Sequence, residues 1–434
     1  MSKSSSFANT PAKRLMKVSG LGLRVANNVV KHKVSSFVGD KTEKHSNLNT
    51  VIAEDIVKTL GQMKGAAMKV GQIAAQMGHL LPEGMLEQLE KLQYYAEPIA
   101  WEYVEAEIKQ SLGFSVDQIF ASFDQEPFAA ASIGQVYRAT THQGQELVVK
   151  VQYPGVKGSC HSDLIQLKRL FKLSGVLKVD KKALDEVFDE IEKGLLNELD
   201  YEQEANNLRR FAAFHKNNEK LVIPKVFDEF SSSTVLTLAY EPGDQLQKLE
   251  QLGYSLEERN ALAKLLIETA LQEVLWFKEA HADPHPGNFA FRKNGQMVIY
   301  DYGLTADMSD IVVDSYLDLY EAASDAEFSL IDDLLIALGV REVAIPALAP
   351  EIYKDWYESF FLPLLQEDDI AGAISDIQEQ LEMHMSQFIA MRGVFRPCAA
   401  TIFINRIAAG HLLNLAQMNV TEDIRPLFSR YLYE

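Results

Sequence analysis

With 434 residues, 47% hydrophobic and 24% charged, the chain has the make-up of an ordinary globular protein large enough for two lobes. Its net charge of −19 makes the main body a poor nucleic-acid binder, because phosphate repels an acidic surface, and no nucleic-acid partner is expected. Two cysteines, Cys160 and Cys398, lie far apart without metal spacing, which excludes a disulfide scaffold and suits a reducing compartment. No run of about 18 uncharged apolar residues occurs, so no transmembrane helix is expected, and no compact apolar core with a cleavage site follows the basic N-terminus, so no signal peptide is expected either.

Taken in chain order, residues 1–39 carry seven Lys or Arg and no Asp or Glu, leaving −26 on the remainder, the difference between −19 and +7. Val18, Leu21, Val25 and Val29 fall near helical spacing, with Lys17, Arg24, Asn28 and Lys31 on another side. That pattern fits a peripheral helix drawn to anionic lipid, and equally a solvated tail, given Gly20, Gly22 and the Ser-rich start. Residues 50–112 read as helices interrupted at "LLPEG" and "AEPIA". Within them, "GQMKGAAMKVGQIAAQM" puts Gln62, Lys69, Gln72 and Gln76 on one helix face.

Residues 127–152 change period: β-branched runs split by Gln143-Gly144 predict strand, turn, strand. Helical periodicity spans about 160–217, then "STVLTLAY" reads as a strand stopped by "EPGD". Ser255 with Glu258 is a capping-box signature for a helix ending near Glu279. "FAFRKNGQMVIYDYG" predicts two short strands around Asn294-Gly295, and from about 306 the pattern is helical. A small sheet-containing lobe thus precedes a mostly helical one, with a hinge expected near Ala239–Gly243 and a cleft as the default ligand site.

The chemistry concentrates in "HADPHPGN" (281–288) and "IYDYG" (299–303). Phosphoryl transfer needs Mg²⁺ held by hard oxygens and a carboxylate that orients the acceptor. Asn288 and Asp301 can supply the oxygens, and Asp283 the orienting group. Each alone reads as well as a turn former. Upstream, Ala129, Ala131, Gly134 and Val136 stand in the frame of a kinase Gly-rich loop, G-x-G-x-x-G-x-V. Lys150 follows in "VVKV", able to neutralise phosphate, and Glu204 is its candidate acidic partner.

The ordered set "KVGQ" (69–72), "AAASIGQV" (129–136), "VVKVQYPGV" (148–156), "ELDYEQEA" (198–205), "HADPHPGN" and "DYG" resembles the UbiB family of atypical kinases over about residues 60–305. The resemblance implies an α+β, bilobal protein-kinase-like fold. Residues 1–45 would be the basic leader and 46–112 a helical extension covering the cleft. Residues 113–240 would form a small sheet-containing N-lobe, and 241–434 a mostly helical C-lobe. It implies ATP and Mg²⁺, with Ala129, Ala130, Ala131, Ser132, Gly134, Gln135 and Val136 in an Ala-rich nucleotide loop. Lys150 would pair with Glu204, and Ala239 and Tyr240 would lie at the adenine hinge. Asp283 would be catalytic, with Asn288 and Asp301 on the metal. Lys69 and Gln72 of the extension would meet Glu198 and Asp200, which gives the polar stripe a role; ordinary helix packing is the other reading.

The family also implies ATPase or kinase activity supporting prenyl-quinone (ubiquinone) or other lipid metabolism at a membrane surface. A cytoplasmic chain, peripheral on a membrane's inner face, would fit. A small-molecule phosphotransferase, sharing H-x-D-x-x-x-x-N, and a nucleotide-binding scaffold without turnover are the alternatives. No A-P-E segment follows Asp301, so no ordinary protein substrate is expected.

Overall fold

The computed structural model describes residues 99–130, 133–174, 198–363 and 399–421, with single positions between 185 and 196, between 372 and 395, and at 426, 430 and 431. The leader, and Lys69 and Gln72 with most of the proposed extension, lie outside the described residues, as do Ala131 and Ser132. Two compact units are present. The first holds the described residues up to Asn206 with Lys225–Tyr240, and the second holds Asn207–Pro224 with the described residues from Glu241 onward.

In the first unit, helix α1 (Trp101–Leu112) stops at Gly113, whose φ of 81° and N–H bond to the Lys109 carbonyl form a left-handed cap. Strands β1 (Ser122–Phe123), β2 (Ala129–Ala130), β3 (Gly134–Thr140) and β4 (Glu146–Gln152) follow, then helix α2 (Val156–Ser174) and the first residues of helix α3 (Tyr201–Phe214), whose remainder from Asn207 belongs to the second unit. Strand β5 (Val235–Ala239) completes an antiparallel sheet of order β1-β3-β4-β5, with β2 also paired to β3. The predicted β3–β4 turn forms, with Gly144 at φ 83° donating to the Thr141 carbonyl.

Period-two alternation then sorts the side chains of this sheet. Tyr137, Ala139, Leu147, Val149 and Val151 are buried, and α1 packs across β4 and β5 with Val104 and Ile108 inward. Each such aliphatic side chain contributes about 1.5–3 kcal/mol when fully removed from water. Val136 and Arg138 of β3, opposite Lys150 and Val148 of β4, form the other, half-exposed face.

In the second unit, the strand Leu221–Val222, β6 (Asp244–Gln245), β8 (Phe289–Phe291) and β9 (Met297–Ile299) make a four-stranded sheet. Between β6 and β8 in the chain lie helix α4 (Leu256–Gln272) and β7 (Glu279–His281), and β7 pairs antiparallel with β10 (Thr305–Asp307). Helices α5 (Asp310–Ser324) and α6 (Ala399–Met418) follow β10.

The capping box at α4 forms as predicted: the Glu258 N–H donates to Ser255 Oγ at 3.1 Å, and the Ser255 N–H to Glu258 Oε2 at 2.7 Å. The helical run ends at Phe277, close to its predicted end near Glu279. Its last turn widens over Glu273–Phe277, and Lys278 takes φ 57°, because Glu279–His281 is claimed by pairing with Thr305–Asp307.

Candidate active site

Lys150 projects from the half-exposed face of β4. Its Nζ lies 2.6 Å from Oε1 of Glu204 on α3, with the two side chains only 12% and 4% exposed. A lysine so enclosed needs a partner acid, and this pair supplies it. Ala239 ends β5, and the Tyr240 N–H donates to the Glu146 carbonyl at 3.0 Å. The Arg138 guanidinium stands 3.5 Å over the Tyr240 ring while bonded to Glu146 at 2.9 Å. The Ala-rich segment enters through β2, with Ala129 opposite Val136 and Ala130 opposite Gln135. Gly134 is dictated by space: a Cβ there would sit 2.4 Å from the Val151 carbonyl oxygen. Gln135 turns inward, its Oε1 accepting from the Tyr137 hydroxyl at 2.8 Å and from the Ile99 N–H.

Asp200 caps α3, accepting from the Gln203 N–H at 2.9 Å, and is exposed; Glu198 is half-buried. Their expected partners Lys69 and Gln72 lie outside the described residues.

In the second unit two local pairings bring Asp283, Asn288 and Asp301 together. The β8–β9 hairpin, turned at Gly295 with φ 82°, continues as a bond from the Tyr300 N–H to the Asn288 carbonyl at 2.9 Å, so Asn288 faces the residue before Asp301. The β7–β10 ladder continues as a bond from the Ala282 N–H to the Leu304 carbonyl, so Ala282, next to Asp283, lies beside Leu304, three residues beyond Asp301. Asn288 Nδ2 donates to the Asp283 carbonyl and to Asp283 Oδ2, each at 3.0 Å. The Gly303 N–H donates to Asp301 Oδ1 at 2.8 Å.

Beneath these loops lies a buried polar network that sequence reasoning did not find. Glu273, on the widened turn, accepts from the His281 N–H at 2.9 Å and the Tyr302 hydroxyl at 3.3 Å, with His215 Nε2 at 3.1 Å. The His281 ring in turn donates through Nε2 to the Asp301 carbonyl at 2.6 Å. Asn207 donates to the Tyr302 carbonyl at 2.8 Å. Burial, reinforced by Glu273, pushes the Tyr302 hydroxyl well above its ordinary pKa, so it stays a donor.

Residues 91–334 match the model of the ABC1 atypical kinase-like domain, more than half of the chain. The chain belongs to the ABC1 (UbiB) family. It is 31% identical over 318 residues to the Arabidopsis thaliana chloroplastic protein "Activity of BC1 complex kinase 8", an alignment spanning 71% of this chain and 41% of that one. It is 32% identical over 313 residues to the Danio rerio mitochondrial atypical kinase COQ8B, spanning 70% of this chain and 49% of that one. The chain therefore spans about two fifths to one half of these relatives' length. Among solved structures, the Rv3197–erythromycin complex from Mycobacterium tuberculosis superposes with a TM-score of 0.61 at 25% identity, covering 90% of this chain and 98% of that one. No helix among the described residues is long and apolar enough to cross a membrane.

The ABC1 match stops at residue 334, yet α6, far beyond it, reaches the Asp283 loop. Arg406 Nη2 donates to Asp283 Oδ1 at 2.7 Å, and Asn414 Nδ2 to the Pro284 carbonyl at 2.9 Å. Gly410, between them on the same helical stripe, lets Pro284 approach: a Cβ there would fall 2.1 Å from Pro284 Cγ. Nothing in local sequence signals these contacts, since 123 residues separate Arg406 from Asp283.

The donor set of the ABC1 domain suits Mg²⁺. Asn288 commits its amide nitrogen to Asp283, which turns its amide oxygen away from that carboxylate, and Asp301 adds a carboxylate. Among the described residues no group of three or more His, Cys, Asp and Glu could hold a metal. Two protein oxygens completed by phosphate and water are the ordinary Mg²⁺ arrangement.

Proposed function

We propose that the chain is a Mg²⁺-dependent atypical kinase-like ATPase or phosphotransferase of the UbiB type, supporting ubiquinone or other prenyl-lipid metabolism at an anionic membrane surface. The observation that carries this reading is the pairing of Asp283 with Asn288 next to Asp301, in a chain whose Lys150 is already held by Glu204. Lys150 supplies positive charge for phosphate, and Ala129, Ala130, Ala131, Ser132, Gly134 and Val136 a close backbone approach to it. Ala239 and Tyr240 receive the base. Asn288 and Asp301 would hold Mg²⁺, which would screen phosphate charge. Asp283 orients the acceptor oxygen: the γ-phosphorus exchanges its bond to ADP for one to that oxygen, ADP leaves with the electron pair, and the acceptor proton passes to Asp283. Lys69 and Gln72 are assigned to the Glu198–Asp200 region as a cover.

Purified Asp301→Asn should lose Mg²⁺-dependent phosphate release from ATP by at least about 100-fold, since an amide binds a hard cation poorly. Its thermal stabilisation by Mg²⁺-ATP should fall as well, by mass action. Wild-type turnover in that variant would refute the metal assignment.

A further inference from the structure

The carboxylate at the centre of the proposed chemistry is held from two directions. Asn288 takes Oδ2 of Asp283 from within its own loop, and Arg406 takes Oδ1 from α6. The two are unlike in kind: the first is a neutral amide five residues away, the second a full positive charge from a helix outside the family-matched segment. Three further contacts fix where that charge stands. Ile407 is buried in a cluster with Ala280, Ala282, Ala306, Met308 and Val313, which seats α6 on the β7–β10 ladder. Asn414 holds the Pro284 carbonyl, and Gly410 accepts the Pro284 ring. Arg406, Gly410 and Asn414 are spaced by four, so a single helical stripe addresses a single loop.

An exposed ion pair for stability alone would not need this placement. Arg406 and Asp283 are 37% and 34% exposed on their side chains, a setting in which a pair contributes only about 0–1 kcal/mol. Its geometric effect is larger, because charge-assisted bonding to one oxygen leaves the carboxylate little rotational freedom. A misplacement of about 1 Å in a reacting group can cost about 100-fold in rate.

We infer that Arg406 is a positioning residue for Asp283, so that α6 completes the active site of this chain. The inference rests on the proposed phosphoryl-transfer reading. Arg406 touches neither phosphate nor metal in this role. Its loss should therefore lower kcat while leaving the KM for Mg²⁺-ATP unchanged.

The test measures phosphate release from Mg²⁺-ATP by the full chain and by Arg406→Gln, Arg406→Lys and Arg406→Ala, with thermal melting of each. The expected result is a 10- to 100-fold lower kcat in Arg406→Gln, with KM and melting temperature near wild type. Partial recovery should appear in Arg406→Lys, and added guanidinium at millimolar concentration should raise the rate of Arg406→Ala. A wild-type kcat in Arg406→Gln would overturn the role while leaving the proposed function standing. So would a loss confined to folding, with a lowered melting temperature and neither lysine nor guanidinium rescue. Absence of turnover in the wild-type chain itself would overturn both.

Discussion

Tyr302 stands where kinase D-F-G segments carry phenylalanine, and its added hydroxyl has a definite partner. The ring is fully buried, with its centroid 4.3 Å from that of Phe211, and its hydroxyl reaches Glu273. Tyr302→Phe keeps the packing and removes one of the donors to a buried carboxylate. It should cost about 1 kcal/mol, read as a lower urea midpoint with an unchanged slope. An unshifted midpoint would mean that this 3.3 Å bond contributes nothing. His411 gives a second test at this scale. It is buried on α6, and among the described residues its Nδ1 has no hydrogen-bond partner. Burial first, and then the nearby His281, push its pKa down to about 3. An unfolded histidine titrates near about 6.5, so between these values the unfolded chain binds a proton that the folded chain refuses. Stability should therefore fall as pH drops below about 6.5, and His411→Phe should flatten that part of the dependence. Melting temperatures between pH 7.5 and 5 would show the same slope in both proteins if His411 were not responsible.

At the scale of elements, α6 and the Asp283 loop meet at Gly410. In an exposed helix interior, Gly→Ala ordinarily stabilises by about 0.5–1 kcal/mol through helix propensity. Here the new methyl would fall 2.1 Å from Pro284 Cγ and 2.6 Å from Pro284 Cβ, and the Pro284 ring has no flexible end that could swing aside. Overpacking of this kind costs about 1–3 kcal/mol, which exceeds the propensity gain. Gly410→Ala should be destabilising in urea and, by moving Asp283 relative to Arg406, should lower turnover. A stabilised variant with full activity would show that the loop and helix part easily. The strands teach a related point. Gln143-Gly144 and Asn294-Gly295 were legible as turns because the residue type itself permits φ near 80°. The widening of the last turn of α4 over Glu273–Phe277 was not legible, nor was the strand after it, since Glu279–His281 becomes a strand only through long-range pairing with Thr305–Asp307.

For the whole molecule, the charge asymmetry yields a prediction that stands apart from the fold. A leader of seven basic and no acidic residues is attached to a body of −26. Deleting residues 1–39 should weaken co-sedimentation with anionic liposomes, most at low salt, while sparing the KM for Mg²⁺-ATP. Equal sedimentation of both forms would identify the leader as a solvated tail.

Sequence by itself determined the α4 capping box, both hairpin turns, the strands β3, β4, β5, β8 and β9, and the candidate groups Lys150, Glu204, Asp283, Asn288 and Asp301. These depend on local chemistry or on ordered motifs: what a turn permits, what a strand alternates, and which residue types phosphate and Mg²⁺ require. Tertiary structure alone decided that Gln135 faces inward and that Asp200 serves as a helix cap. It also decided that Glu273 gathers His281, Tyr302 and His215, and that Arg406 grips Asp283. Each of these depends on which way a side chain turns or on which distant segment it meets. Residue spacing carries no record of either when packing of α6 against β7 and β10, through Ile407 and its apolar neighbours, is what brings positions 283 and 406 within hydrogen-bond reach.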